Sequence, residues 1–314
     1  MILTNIFLRC PVKKIVYSII VLSLLGGCST ISHDSNKNSQ SVPEEMPASK
    51  YVGQGFQPKA EKSAIEYAKK HRKEYEKLGE QFFKDNFSLN VKTTNVVGSG
   101  DGVEVYVHCD DHDIVFNASI PFDKESIHEK GSMRSHDNGD DMSNMVGTVL
   151  SGFEYRAQKE KYDNLTRFYK NNKSKYDYIG YTQEAINKTQ DAGYQNEYYY
   201  IVGDITSLKN YRKYYEPLIK KSDVEFKNDM REAYKNTNYK AKREVITTLF
   251  STLKTPSRKK CIKSVYDMSK KIEKEPNMPT HTTIINQLGE NKIFTATPKF
   301  HHTKFVEFGA FDDE

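Results

Sequence analysis

The densest cluster of residues able to do chemistry is His108-Cys109-Asp110-Asp111-His112-Asp113. Two imidazoles and a thiol can hold zinc or copper, with carboxylates completing the shell, so His108, Cys109 and His112 are the candidate metal ligands. The cluster lies between two strand-like runs. Val103, Val105 and Val107 alternate with Glu104, Tyr106 and His108, and Ile114 to Ile120 follows. Successive strand residues point to opposite faces, so His108 and Cys109 should diverge. Asp-Asp-His-Asp also has the composition of a solvated turn. A plain hairpin outweighs the metal reading.

Other constellations are thinner. His136-Asp137-Asn138-Gly139-Asp140-Asp141 places acids around a glycine, but an EF-hand needs a Glu six residues beyond that glycine, where Met145 stands. Gly98-Ser99-Gly100-Asp101-Gly102 has three glycines but no following helix to aim amides at a phosphate, and reads as a hairpin connection. His301-His302, with His281 upstream, are adjacent on a strand and face opposite ways. No Gly-x-Ser-x-Gly, P-loop or His-Glu-x-x-His pattern occurs. No catalytic residue and no cofactor are therefore assigned. With residues 1–27 removed and Cys28 modified, Cys109 and Cys261 have each other as sole disulfide partners, but Cys261 lies on an apolar helix face, which favours a buried free thiol. The 21 tyrosines include Tyr198-Tyr199-Tyr200 and Tyr214-Tyr215. Packing is their first role, and a tyrosine-rich binding face the alternative.

The elements that must position these groups can be read from periodicity. Ile65, Ala68, Tyr75, Leu78 and Phe82 predict a helix over 60–84. A strand over 89–97 and the hairpin 103–120 form the clearest β region. After a polar loop over 123–141, Met142, Val146, Val149, Phe153, Ala157, Leu165 and Phe168 mark a long helix over 142–170 with a weak turn near Glu160. Thr182 caps a short helix over 183–190, and Tyr198 to Val202 reads as a strand. Helical faces follow at Leu208-Tyr211-Tyr215-Leu218, at Phe226-Met230-Tyr234 and at Val245-Leu249-Leu253. Thr255 and Pro256 start a further helix with the face Cys261-Val265-Met268-Ile272. Ile293 to Ala296 and Lys304 to Phe308 read as closing strands. The expected class is α+β: a small antiparallel sheet with packed helices and a helix-rich second half.

The N-terminus carries the sharpest signal. A basic region precedes an apolar run of 11 residues, Ile15 to Leu25, and then Gly26-Gly27-Cys28. A spanning helix needs roughly 20 residues, so the run fits the hydrophobic segment of a signal peptide. Leu25-Gly26-Gly27-Cys28 resembles the lipobox of bacterial lipoproteins. That resemblance implies cleavage before Cys28, diacylglycerol on its thiol, and two or more acyl chains that suffice for stable anchoring. Residues 1–27 are then a signal peptide and 28–55 a lipidated N-terminus and flexible tether. Residues 56–314 form a globular region, which a sub-boundary near 172–182 could divide, though nothing in the sequence compels it.

Composition narrows the partners. Of 314 residues, 12% are aromatic, more than a disordered chain carries. Without the leader, 44 basic residues stand against 42 acidic ones, and the charges alternate along helices. That balance argues against nucleic acid. The leader, the Tyr- and Lys-rich body and the segment Pro279-Thr280-His281-Thr282-Thr283-Ile284-Ile285-Asn286-Gln287-Leu288-Gly289 together resemble a staphylococcal family of lipoproteins with no assigned activity. The resemblance implies an extracytoplasmic location at the cell membrane and transfers no catalytic residue. The expected function is a non-enzymatic envelope protein that binds an extracellular protein or ligand. The alternatives are a hydrolase of wall or peptide substrates and a metal-capturing lipoprotein.

Overall fold

Alternating valines make the first sheet. Val103, Val105 and Val107 are buried on β3 (Gly102–Asp111), which pairs antiparallel with β2 (Val91–Ser99) and β4 (Ile114–Phe122). This is a computed structural model that describes residues 42–129, 131–137, 139–237, 244–279, 282–289, 291–298 and 305–309. The leader, Cys28, His281, His301 and His302 lie outside the described residues.

Two helices cover this sheet, α1 (Lys62–Lys70) and α2 (Arg72–Phe87), where the periodicity predicted one; the chain breaks at His71. Tyr75, Phe83 and Phe87 are buried among the valines. Beyond the sheet, α3 (Asp140–Ala157) packs on β4, and α4 (Lys159–Asn172) follows after a break at Gln158, close to the expected turn. The helical face from Leu208 to Leu218 is a composite: one turn of α-helix (α6, Leu208–Asn210), a π turn and a 3-10 turn, with Leu208, Tyr211, Tyr215 and Leu218 all buried. It joins α7 (Asp223–Asn236), whose Phe226, Met230 and Ala233 complete the first core. Ser222 and Glu225 form a capping box there.

A second core gathers around a five-stranded sheet ordered β10 (Phe305–Gly309), β8 (Thr282–Leu288), β7 (Glu244–Ser251), β5 (Tyr178–Ile179), with β6 (Tyr199–Ile201) also paired to β7. β7 and β8 run parallel, and α8 (Arg258–Ile272) is the crossover that such a pair requires. Val245 and Leu249, read as a helical face, lie on β7. A spacing of four fits a strand face as well as a helix, and the deciding neighbours β6 and β8 are remote in sequence. The start of α8 also shifts: Ser257, not Thr255, caps it by accepting from the Lys260 amide. Thr182 caps α5 (Gln183–Thr189) as expected, accepting from the Ala185 amide at 3.1 Å.

The class is α+β with small, mostly antiparallel sheets. One boundary differs from the sequence reading. Residues 42–55, expected as tether, belong to the fold: β1 (Glu45–Pro47) pairs with β9 (Lys292–Phe294), and Ala48 and Tyr51 are fully buried. Val42–Glu314 is one unit, undivided near 172–182.

Candidate functional site

The hairpin separates the three candidate metal ligands. His108 Nδ1 meets Asn117 Oδ1 at 3.0 Å. Cys109 points the other way, into the first core, where its thiol reaches the Asn90 carbonyl, at 3.6 Å. His112 sits at the turn with φ +54° and pairs with Asp111 at 2.7 Å. No group of three or more His, Cys, Asp or Glu residues able to hold a metal forms among the described residues. Burial pushes the Cys109 thiol up to about 12, so it stays protonated and un-nucleophilic at neutral pH. Cys109 and Cys261 are free and buried. The acids after His136 serve α3 instead: Asp140 and Asp141 lie in its first turn, where negative charge is favourable.

The structure builds a different site, from segments far apart in sequence. α4 and α7 both pack on α3, and a cleft of about 780 Å³ opens between them. Its floor is the C-terminal turn of α3 with Met230 and Tyr234 of α7. Asp113 of the hairpin and Asn277, beyond α8, complete the rim. Asn277 adopts φ +57°, a conformation that asparagine tolerates. Its amide donates to Glu160 at 2.7 Å and its carbonyl accepts from Asn164 at 3.0 Å, which fastens this loop to α4.

At the floor lies Glu154, 4% exposed. A buried carboxylate is costly unless hydrogen-bonded, and here one oxygen accepts from Gln158 (2.5 Å) and Tyr162 (3.2 Å), the other from Tyr234 (2.6 Å). Donors from the α3–α4 break, α4 and α7 thus converge on one group. Both oxygens accept hydrogen bonds, so Glu154 ties α3, α4 and α7 together at the floor of the cleft. Arg156 does similar work on the other side. It donates to the Ile219 and Lys221 carbonyls at 2.8 and 2.7 Å, contacts Asp223 at 3.3 Å and lies 4.1 Å over the Phe226 ring.

The remaining charges divide unevenly. Every lining acid has a partner: Asp113 holds Lys159 at 2.8 Å, Asp163 accepts from Tyr155 at 3.0 Å, Glu160 from Asn277, and Asp223 and Glu154 as above. Among the cations, Arg156 and Lys159 are engaged. Lys161, Arg167, Lys227 and Arg231 line the cleft with no side-chain hydrogen bond or ion pair among the described residues. The acids are spoken for and four cations are open.

The model of a family described as "Protein of unknown function (DUF1672)" matches residues 38–313. The chain belongs to the DUF1672 family. It is 54% identical to a DUF1672 protein from Staphylococcus aureus of known crystal structure, with a TM-score of 0.83 over 87% of this chain and all of that one. No curated protein matches. DUF1672 is thus an uncharacterised family with a staphylococcal member, as the sequence resemblance implied.

Nothing in the DUF1672 chain's sequence announces the cleft. Lys161, Lys227 and Arg231 have the spacing of solvated helix faces. The available signal is Glu154 and Arg156, two charges near the end of the otherwise largely apolar run from Val146 to Ala157, where a charged group must find partners or leave the core.

Proposed function

We propose that this DUF1672 protein is a lipid-anchored envelope lipoprotein, held at the extracytoplasmic face of the cell membrane by acyl chains on Cys28, and that its folded domain binds a partner or ligand without turning it over. The leader carries this reading: basic residues, an 11-residue apolar run, two glycines and a cysteine stand in lipobox order. Thirteen residues separate Cys28 from Val42, a stretch able to reach roughly 45 Å when extended. Binding rather than catalysis is supported by the cleft, where both Glu154 oxygens already accept hydrogen bonds, and by thiols that burial keeps protonated.

Intact-mass spectrometry of the protein from its native membrane tests the anchor. The expected mass is residues 28–314 plus diacylglycerol or a further acylated form, lost in Cys28→Ala. An unlipidated mass, or retention of residues 1–27, would refute it. Cross-linking on intact envelopes tests the binding role, which requires a specific partner or ligand to be recovered.

A further inference from the structure

We infer that the cleft between α4 and α7 receives a stretch of polypeptide carrying two spaced carboxylates. This deepens the binding role above and rests on it. The argument starts from the four open cations. Lys227 and Arg231 are four residues apart on α7, so they stand on one face, about 6 Å apart at Cβ. Lys161 and Arg167 line the cleft from α4, about 9 Å apart along its axis. Two separate cationic loci ask for a ligand with two anionic groups. Arg167 and Arg231 add planar donors suited to carboxylate or phosphate.

The acids in the cleft choose between those anions. Asp113, Glu160, Asp163 and Asp223 lie among the cations. A dense polyanion such as polyphosphate would meet their charge all along its length. A peptide would not: its acidic side chains can reach the cations while its backbone N–H groups face the carboxylates. Those carboxylates have acceptor positions to spare, because each offers about four lone-pair sites. The floor supplies Ala157, Met230 and the Tyr234 ring, apolar surface for the residues between the two acids, and methionine adapts readily to such contacts. A volume of about 780 Å³ falls within the range of ligand sites and matches a short segment of chain.

The test uses the full chain in detergent and fluorescence anisotropy with a labelled peptide Gly-Glu-Ala-Ala-Glu-Gly. We expect this peptide to bind at least tenfold more tightly than its Gln-for-Glu analogue, with affinity falling as salt rises. The double variant Lys227→Glu/Arg231→Glu should lose at least tenfold. Both side chains are exposed, so its melting temperature should stay close to wild type, and Arg167→Glu provides an independent second variant from α4. Equal binding of the two peptides, or affinity unmoved by both variants, overturns the inference. Tripolyphosphate displacing the peptide at lower concentration than unlabelled peptide itself overturns the assignment to polypeptide. Cross-linking on envelopes separates this inference from the role beneath it. A partner captured equally by wild type and the double variant, with no peptide binding, would sink the inference and leave the role. An empty capture with wild type would remove the role.

Discussion

The two cores solve the same problem with different side chains. The first, between β2–β4 and helices α2, α3 and α7, is filled largely by valine and phenylalanine, with Phe83, Phe87, Phe116 and Phe153 fully buried. The second, around β5–β8 with α4 and α8, is largely tyrosine: Tyr162, Tyr169, Tyr178 and Tyr199 are buried as deeply. Phenylalanine asks only to be covered. Each buried tyrosine must also satisfy a hydroxyl, and Tyr199, Tyr178 and Tyr169 do so within the core. Tyr199 donates to the Tyr162 carbonyl (2.8 Å), Tyr178 to the Tyr169 carbonyl (2.6 Å), and Tyr169 meets Thr247 Oγ1 (3.1 Å). The first core leans mainly on shape, with buried hydroxyl bonds at Tyr75, Tyr211 and Tyr215, and the second adds a denser directional network. The cleft stands where they meet, with Tyr162 of the second core and Tyr234 beside the first both donating to Glu154.

The comparison can be broken first at Phe153, whose ring lies 5.7 Å from Phe226 and 5.8 Å from Tyr211. Phe153→Ala should cost about 3–5 kcal/mol in urea unfolding, because it removes transfer free energy and leaves a cavity. A loss below about 1 kcal/mol would mean that the first core is not held by close packing. The seam comes next. Gly203, following β6, lies so close to α3 that an added Cβ would fall 1.8 Å from the Gly147 carbonyl oxygen. Gly203→Ala must push the chain away from α3, and about 1–3 kcal/mol of destabilisation is expected. Unchanged stability would show that the seam yields freely.

Within the second core, Tyr199→Phe keeps the ring and removes only the hydroxyl. It should cost about 1–3 kcal/mol, since the buried Tyr162 carbonyl and Thr166 hydroxyl lose a partner. A neutral Tyr199→Phe would reduce the second core to shape alone. The smallest effect concerns the Asp113–Lys159 pair, which links the β3–β4 turn to α4. The hydrogen bond from Lys159 holds the Asp113 carboxyl below its ordinary value. A lowered folded-state value means that the contribution is present at neutral pH and is lost as pH falls through the acidic carboxylate range. Both partners are about half exposed, so solvent screening limits it to a few tenths of a kcal/mol. In urea melts, Asp113→Asn should lower stability slightly at pH 7 and leave it unchanged near pH 2. A larger deficit at the lower pH would contradict the sign.

Much of the fold was legible wherever the code is local. The alternation of Val103, Val105 and Val107 placed β3, the stripe from Val146 to Phe153 placed α3, and Thr182 marked the start of α5. Where partners are distant, the code is silent. Glu45–Pro47 has no strand pattern until β9 lies beside it, and Val245 with Leu249 fits two periods equally. The cleft was illegible for the same reason. Its lining comes from the hairpin, the α3–α4 junction, α7 and the residue Asn277, so no single stretch carries its signature. The histidines and cysteine that looked most chemical are neighbours in sequence, and the pleat of β3 and the turn at His112 send them apart.

The pairing of β1 with β9 also sets an order of events. Tyr51 donates from its hydroxyl to the Thr295 carbonyl, 244 residues away, and Thr295 returns bonds from its amide to Glu44 and from its hydroxyl to Pro43. These contacts cannot form until nearly all of the chain has emerged, and loops of that length close slowly. The residues from Pro43 to Tyr51 are therefore among the last to find their place.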